Sequence, residues 1–162
     1  MQARWTRPLW LLSALVAAVG CHHSTAPAPA TLLHCPSTQA ESTTTVLSAT
    51  GGIVSVAGTS VSIPAGALAS ATAITLRVPA SQYMEIEVRA NDLASFVFQQ
   101  AVSITIDYSR CSPSEANRSP LSVWRIDTQT KALLQNMGGT DDKTSHTITF
   151  STGHLSGYAV AF

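Results

Sequence analysis

Residues 102–108 alternate without an error: Val102, Ile104, Ile106 and Tyr108 are apolar, and Ser103, Thr105 and Asp107 between them are polar. Successive side chains of a β-strand point to opposite faces, so a period of two describes a strand with one face in a core and one in water. The pattern recurs. Met84, Ile86, Val88 and Ala90 alternate with Tyr83, Glu85, Glu87 and Arg89, and Ile74, Leu76 and Val78 with Thr75 and Arg77. Ile148 and Phe150 alternate with Thr147 and Thr149, and Tyr158, Val160 and Phe162 with Ala159 and Ala161. Shorter candidates are Val46–Ala49, Ile53–Val56, Ser60–Ile63, Phe96–Phe98, Leu121–Asp127 and Ala132–Gln135.

Between them stand turn formers: Gly51-Gly52, Pro64, Pro79, Asn91-Asp92, Pro113, Pro120, Gly138-Gly139 and Gly153. About nine short strands at this spacing predict an all-β fold, a β-sandwich or open barrel with mostly antiparallel pairing. Ile104, Ile106, Val88, Leu76, Ile148 and Val160 are expected to face inward. At most one short helical turn is expected, at Ala65–Ser70, because Pro64 suits the start of a helix. Trp124 shares a strand with Val123 and Ile126, whose sides conflict under strict alternation. A bulge or a strand apolar on both faces is therefore expected there, with Trp124 in the core.

Charge limits what such a fold can do. Only 11% of the 162 residues are charged, 9 basic against 9 acidic, where about 25% is usual. This balance excludes a basic nucleic-acid footprint and leaves little ionisable chemistry.

The first twenty residues have the layout of an export signal: Arg4 and Arg7, an apolar run from Leu9 to Val19, then small residues before Cys21. The run is too short for a permanent span, which takes about 20 helical residues. Removing residues 1–20 takes Arg4 and Arg7 with them and leaves a net charge of −2. Ala18-Val19-Gly20-Cys21 resembles the lipobox of bacterial lipoproteins, in which the cysteine becomes the lipidated first residue. Ala18 departs from the usual Leu, and ordinary signal cleavage after Gly20 is the alternative. If the cell has two membranes, His22 in place of Asp after the cysteine resembles outer-membrane lipoproteins. The chain then divides into a signal peptide at 1–20, a lipidated cysteine and flexible tether at 21–42, and a β domain at 43–162.

Three cysteines are an odd number for an exported protein. A lipid on Cys21 leaves Cys35 and Cys111, either as one disulfide or as two unpaired thiols. Residues 22–31, His-His-Ser-Thr-Ala-Pro-Ala-Pro-Ala-Thr, are small, polar and proline-bearing, as in a solvated spacer. His22 and His23 lack the further ligands that a metal site needs, so no metal is expected there.

Gly51-Gly52-Ile-Val-Ser, Val61-Ser-Ile-Pro64-Ala-Gly66-Ala67-Leu68 and Ala73-Ile-Thr-Leu resemble the signature of the ZU-five-type domain shared by zona occludens proteins, netrin receptors and ankyrins. Thr152-Gly-His154-Leu155-Ser156-Gly-Tyr158-Ala-Val is similar to the closing His-Phe-Ser-x-Tyr strand of such domains. Together the motifs frame most of the β domain. The resemblance implies a β-sandwich used as an interaction or structural module, and it names no partner. In some relatives the His-Phe-Ser sequence cuts its own backbone. By that resemblance His154 would take the proton of Ser156, which would attack the carbonyl of Leu155; Leu155 stands where the family has Phe.

Other sites are thin. His146 and His154 lie among Ser145, Ser151 and Ser156 with Asp141 and Asp142 nearby, but no Gly-x-Ser-x-Gly elbow accompanies them. Asp127, Asp141 and Asp142 lack the loop pattern of a calcium site. Asn117-Arg118-Ser119 matches a glycosylation acceptor, which has little force in a bacterial setting. The expectation is a non-enzymatic, cofactor-free structural or binding module on the outside of a membrane, held by Cys21, whose further partner, a protein or an envelope ligand, the sequence does not name, and with none among nucleic acids. The alternatives are a soluble exported binding protein without lipid, and a self-cleaving domain.

Overall fold

The computed structural model describes residues 29–93 and 95–162. The export signal, Cys21 and the histidine pair lie outside the described residues. Thirteen strands follow in chain order: β1 (His34–Ser37), β2 (Glu41–Leu47), β3 (Gly52–Val56), β4 (Thr59–Ile63), β5 (Thr72–Val78), β6 (Ser81–Tyr83), β7 (Glu85–Ala90), β8 (Val97–Asp107), β9 (Ser122–Ile126), β10 (Leu133–Gly138), β11 (Thr140–Asp142), β12 (Thr147–His154) and β13 (Gly157–Ala161). One short helix, α1 (Pro113–Ala116), sits between β8 and β9.

All pairings are antiparallel. A six-stranded sheet runs β10-β9-β13-β7-β5-β2, a five-stranded sheet runs β11-β12-β8-β4-β3, and β1 with β6 forms a two-stranded ribbon. The fold is an all-β, sandwich-like one. The inner faces supply the core, and the alternation selects them: Val102, Ile104, Ile106 and Tyr108 are buried from β8 onward, as are Ile74, Leu76 and Val78 from β5 and Ile86, Val88 and Ala90 from β7. All six residues expected to face inward are buried.

The structure corrects several expectations. Residues 31–42 are not a tether: Leu33 is buried in the core, His34–Ser37 form β1, and β2 begins at Glu41. In β2 the core-facing positions include Thr43 and Thr45, opposite Leu76 and Ile74. At a sheet edge threonine suffices, so no apolar alternation marks the strand. Ala65–Ser70 is a turn rather than a helix, because Gly66 takes φ 81° and Ala67 N–H closes on the Pro64 carbonyl at 3.1 Å. The helix forms instead at Pro113–Ala116, where Ser112 caps it by accepting from Glu115 N–H and Pro occupies its first turn.

Trp124 also departs from expectation. It lies opposite Ala159, on the outer face of the sheet, while its neighbour Val123 fills the core. Its indole N–H donates to Ser122 Oγ at 3.1 Å, and the ring is half-buried. β9 itself holds strict alternation in unbroken register with β13, so Val123 faces the core and Ile126, opposite Gly157, the other face; both are buried, as in a strand apolar on both faces, and the bulges fall on its other partner, β10. Ala159 and Ala161 were expected in water and are fully buried. The outer face of β13 is covered, and a Cβ on Gly157 would stand 2.3 Å from Thr128 Cγ2.

Candidate functional site

Strand direction gives the sandwich two poles. The start of β2 and the end of β5 meet at Glu41 and Val78, and the end of β8 meets the start of β12 at Asp107 and Thr147. These ends share a cleft lined by Glu41, Val78, Ala57 and Asp107, so they lie at one pole, called proximal here. Leu47 with Thr72, and His154 with Val97, mark the distal pole.

Both described chain ends are fastened at the proximal pole. Thr31 and Phe162 exchange N–H···O bonds of 2.8 and 3.0 Å, Leu33 N–H donates to the Val160 carbonyl at 2.8 Å, and Met84 N–H donates to the Leu33 carbonyl at 3.0 Å. Cys35 of β1 and Cys111, in the loop after β8, form a disulfide with Cα atoms 4.6 Å apart, closing a separation of 76 residues. Both cysteines are buried. Helix α1 locks onto the same place: His34 N–H donates to Glu115 Oε2 at 3.2 Å, Arg118 pairs with Glu115 at 3.1 Å, and the Arg118 guanidinium stands 4.3 Å above the Phe162 ring. Burial pulls the Glu115 pKa up, but Arg118 and the His34 N–H outweigh it and hold the carboxyl below its ordinary range.

The β11–β12 turn completes this pole. Lys143 Nζ donates to the Ala116 and Arg118 carbonyls at 2.8 and 2.6 Å and pairs with Asp141 at 2.9 Å. Asp141 also accepts from the Tyr108 hydroxyl, whose pKa is raised by burial and by that carboxylate. Asp142 accepts from the N–H groups of Thr144 and Ser145, and hydrogen bonds from Ser145 and Thr144 hold its pKa down. The two aspartates thus secure a turn. Asp127 does the same for Gln129 and Thr130 at the far end of β9, and among the described residues no group of acidic, His or Cys side chains is arranged to hold a metal ion. Asn117 is the C-cap of α1.

The proximal cleft has a volume of about 460 Å³. Met84 and Val78 floor it, and Glu41, Asp107 and Arg110 line it. Arg110 donates to the Tyr83 carbonyl at 3.2 Å. Gly58 is required at its rim, because φ is 74° there and a Cβ would meet Asp107 Oδ2 at 2.0 Å.

Gly51 and the turn at Ala65–Ser70 lie at the distal pole, where β3 begins opposite the end of β4. A Cβ on Gly51, at φ 73°, would stand 2.2 Å from the Ile63 carbonyl oxygen. Gly66 N–H donates to the Ala49 carbonyl at 2.8 Å, and Ala67 and Leu68 tuck into the core. His154, Leu155 and Ser156 form the β12–β13 turn. The His154 carbonyl accepts from Thr152 Oγ1 and from the Tyr158 hydroxyl, Leu155 is buried with its N–H on the Phe96 carbonyl at 2.9 Å, and the Ser156 carbonyl accepts from Val88 N–H at 3.1 Å. His154 Nε2 is buried without a hydrogen-bond partner. His146 lies at the other pole, its ring edge-on to Tyr108 with centroids 5.8 Å apart. The two histidines and their neighbouring serines are not brought together.

Sequence reasoning missed the pair Glu85–Lys131. Glu85 was assigned to water, yet it is buried with both carboxylate oxygens on Lys131 Nζ. No period reports such a pair, since its partner comes from a turn 46 residues away. A scan against protein-family models matches none, and a search of curated proteins gives no significant match.

Proposed function

We propose that this chain is a lipid-anchored, extracytoplasmic structural or binding module of a bacterial cell envelope, without an enzymatic activity of its own and attached through Cys21. The observation that carries the reading is the fastening of residue 31. Ten residues after Cys21, the chain enters main-chain pairing with Phe162, and four residues later it is crosslinked through Cys35 to Cys111. A pull on the tether therefore meets backbone hydrogen bonds and a covalent bond instead of a fraying end. The contour of ten residues sets an upper bound of about 35 Å on the distance from the lipid to the domain. The distal pole, with the turns that resemble the ZU-five type, then points away from the membrane and is the natural place for a partner. Where the cell has two membranes, the outer one is the address.

What supports the module reading over self-cleavage is the ordinary bonding of the turn: Leu155 N–H donates to the Phe96 carbonyl at 2.9 Å and the Ser156 carbonyl accepts from Val88 N–H at 3.1 Å. Cys21→Ser tests the anchor. The variant is expected to leave the membrane fraction on a carbonate wash while the unaltered protein stays; retention of the variant would place the anchor elsewhere.

A further inference from the structure

The two large sheets have four edge strands, β10 and β2 in one and β11 and β3 in the other. An exposed edge invites further pairing unless something blocks it. Edge β10 is broken by two register shifts and ends in Gly138 and Gly139 at φ 70° and 131°. Edge β11 has three residues and carries Asp141 and Asp142. Edge β3 is five residues long and is entered through Gly51 and Gly52 at φ 73° and 153°.

Edge β2 has no such device. It runs seven residues, Glu-Ser-Thr-Thr-Thr-Val-Leu, in unbroken register with β5, without proline, lysine or bulge. Val46 on its outer face is 68% exposed. Among the described residues, no strand but β5 pairs with it and no loop backbone bonds to it.

We propose that β2 pairs with β2 of a second copy of this chain, antiparallel, about a two-fold axis at Thr44. The six-stranded sheets of the two copies then join into one. An axis perpendicular to the sheet keeps both core faces on the same side, as a continuous sheet requires. In this register Ser42 meets Val46, Thr43 meets Thr45 and Glu41 meets Leu47. Glu41 is the only charged residue of the strand, so no like charges oppose one another. Val46 gains a partner on its own face, as cross-strand stabilisation demands. From Ser42 to Val46 the strand thus meets itself with small, polar or β-branched residues and no charge, and Glu41 falls at the ends of the seam, which makes a second copy a better occupant than a peptide with unmatched charges. The proposal stands apart from the lipid anchor.

Thr44→Cys tests it in the full-length chain. Position 44 meets itself across the axis, and directly opposed strand residues have Cα atoms about 4.5 to 5.5 Å apart, within disulfide reach. Mild oxidation should give a covalent dimer. Glu41→Cys should give none, because its copies stand roughly 20 Å apart at the usual rise per residue. The unaltered protein in detergent should sediment as a dimer, and Val46→Lys as a monomer with its strand circular dichroism retained. A monomeric unaltered protein would overturn the proposal, including a monomer whose edge is filled by its own N-terminal residues. Equal crosslinking at positions 41 and 44 would overturn it as random collision.

Discussion

Lys131 Nζ stands 2.8 and 2.7 Å from the two carboxylate oxygens of Glu85, on the outer face of the six-stranded sheet. The Glu85 side chain is 3% exposed and that of Lys131 31%. A carboxylate so placed depends on its partner, since an unpaired buried charge is costly while the intact pair adds little over an apolar replacement. Lys131→Ala should therefore destabilise the fold by about 3 kcal/mol, and Glu85→Leu with Lys131→Met should recover most of that loss. Denaturant unfolding of the three proteins checks this. A silent Lys131→Ala would mean that water already reaches Glu85.

The core face of β8 gives a second test. Ile106 is fully buried, while Thr105 beside it points outward and shares a 2.9 Å hydroxyl contact with Thr149. Truncating a buried isoleucine to alanine costs about 2 to 5 kcal/mol. Ile106→Ala should melt well below Thr105→Ala. Equal melting temperatures would contradict the register.

Acid should weaken the turns before it weakens the core. Asp127, Asp142 and Glu115 have folded pKa values below their ordinary ones. Backbone N–H groups of Thr130 and Gln129 hold Asp127 down, Ser145 and Thr144 hold Asp142, and at Glu115 the Arg118 and His34 bonds exceed the opposing effect of burial. In each case the unfolded chain binds the proton more readily. Their stabilisation is thus fully present above the ordinary carboxylate pKa, and it is lost as pH falls through the lower folded values. Asp142→Asn should flatten the fall of melting temperature between the two. An unchanged acid profile in this variant would remove Asp142 from the account.

Strand identity was legible wherever one face is apolar and the other polar, as in β5, β7, β8 and β12. Only the end of β2, at Val46 and Leu47, was legible, because threonine serves at the edge before it, and β1 was not, because Leu33 and Cys35 adjoin a stretch that reads as spacer. The outer face of the six-stranded sheet was misread for one reason: Trp124, Glu85, Ala159 and Ala161 were sorted by residue type. The turn carrying Thr128 and Lys131 folds back over this face, and a period of two contains no information about what a distant turn covers. The cysteine count reached the pair Cys35–Cys111 by leaving only two thiols, and the structure joins them. At the candidate sites, the types for a triad were visible but their positions were not: His146 and His154 lie at opposite poles of the sandwich.

Intact-mass spectrometry of the protein taken from membranes tests the central claim most directly, because one spectrum reports the lipid, the crosslink and any backbone cut. The predicted species begins at Cys21, is uncut between Leu155 and Ser156, carries the added mass of the acyl chains and lacks the two hydrogens of the Cys35–Cys111 thiols. Such a crosslink contributes about 4 kcal/mol in the chain-entropy model, so its reduction should lower the melting temperature as well. A mature chain without lipid, or one that has lost residues 156–162 under denaturing conditions, would contradict the account of a tethered and intact envelope module.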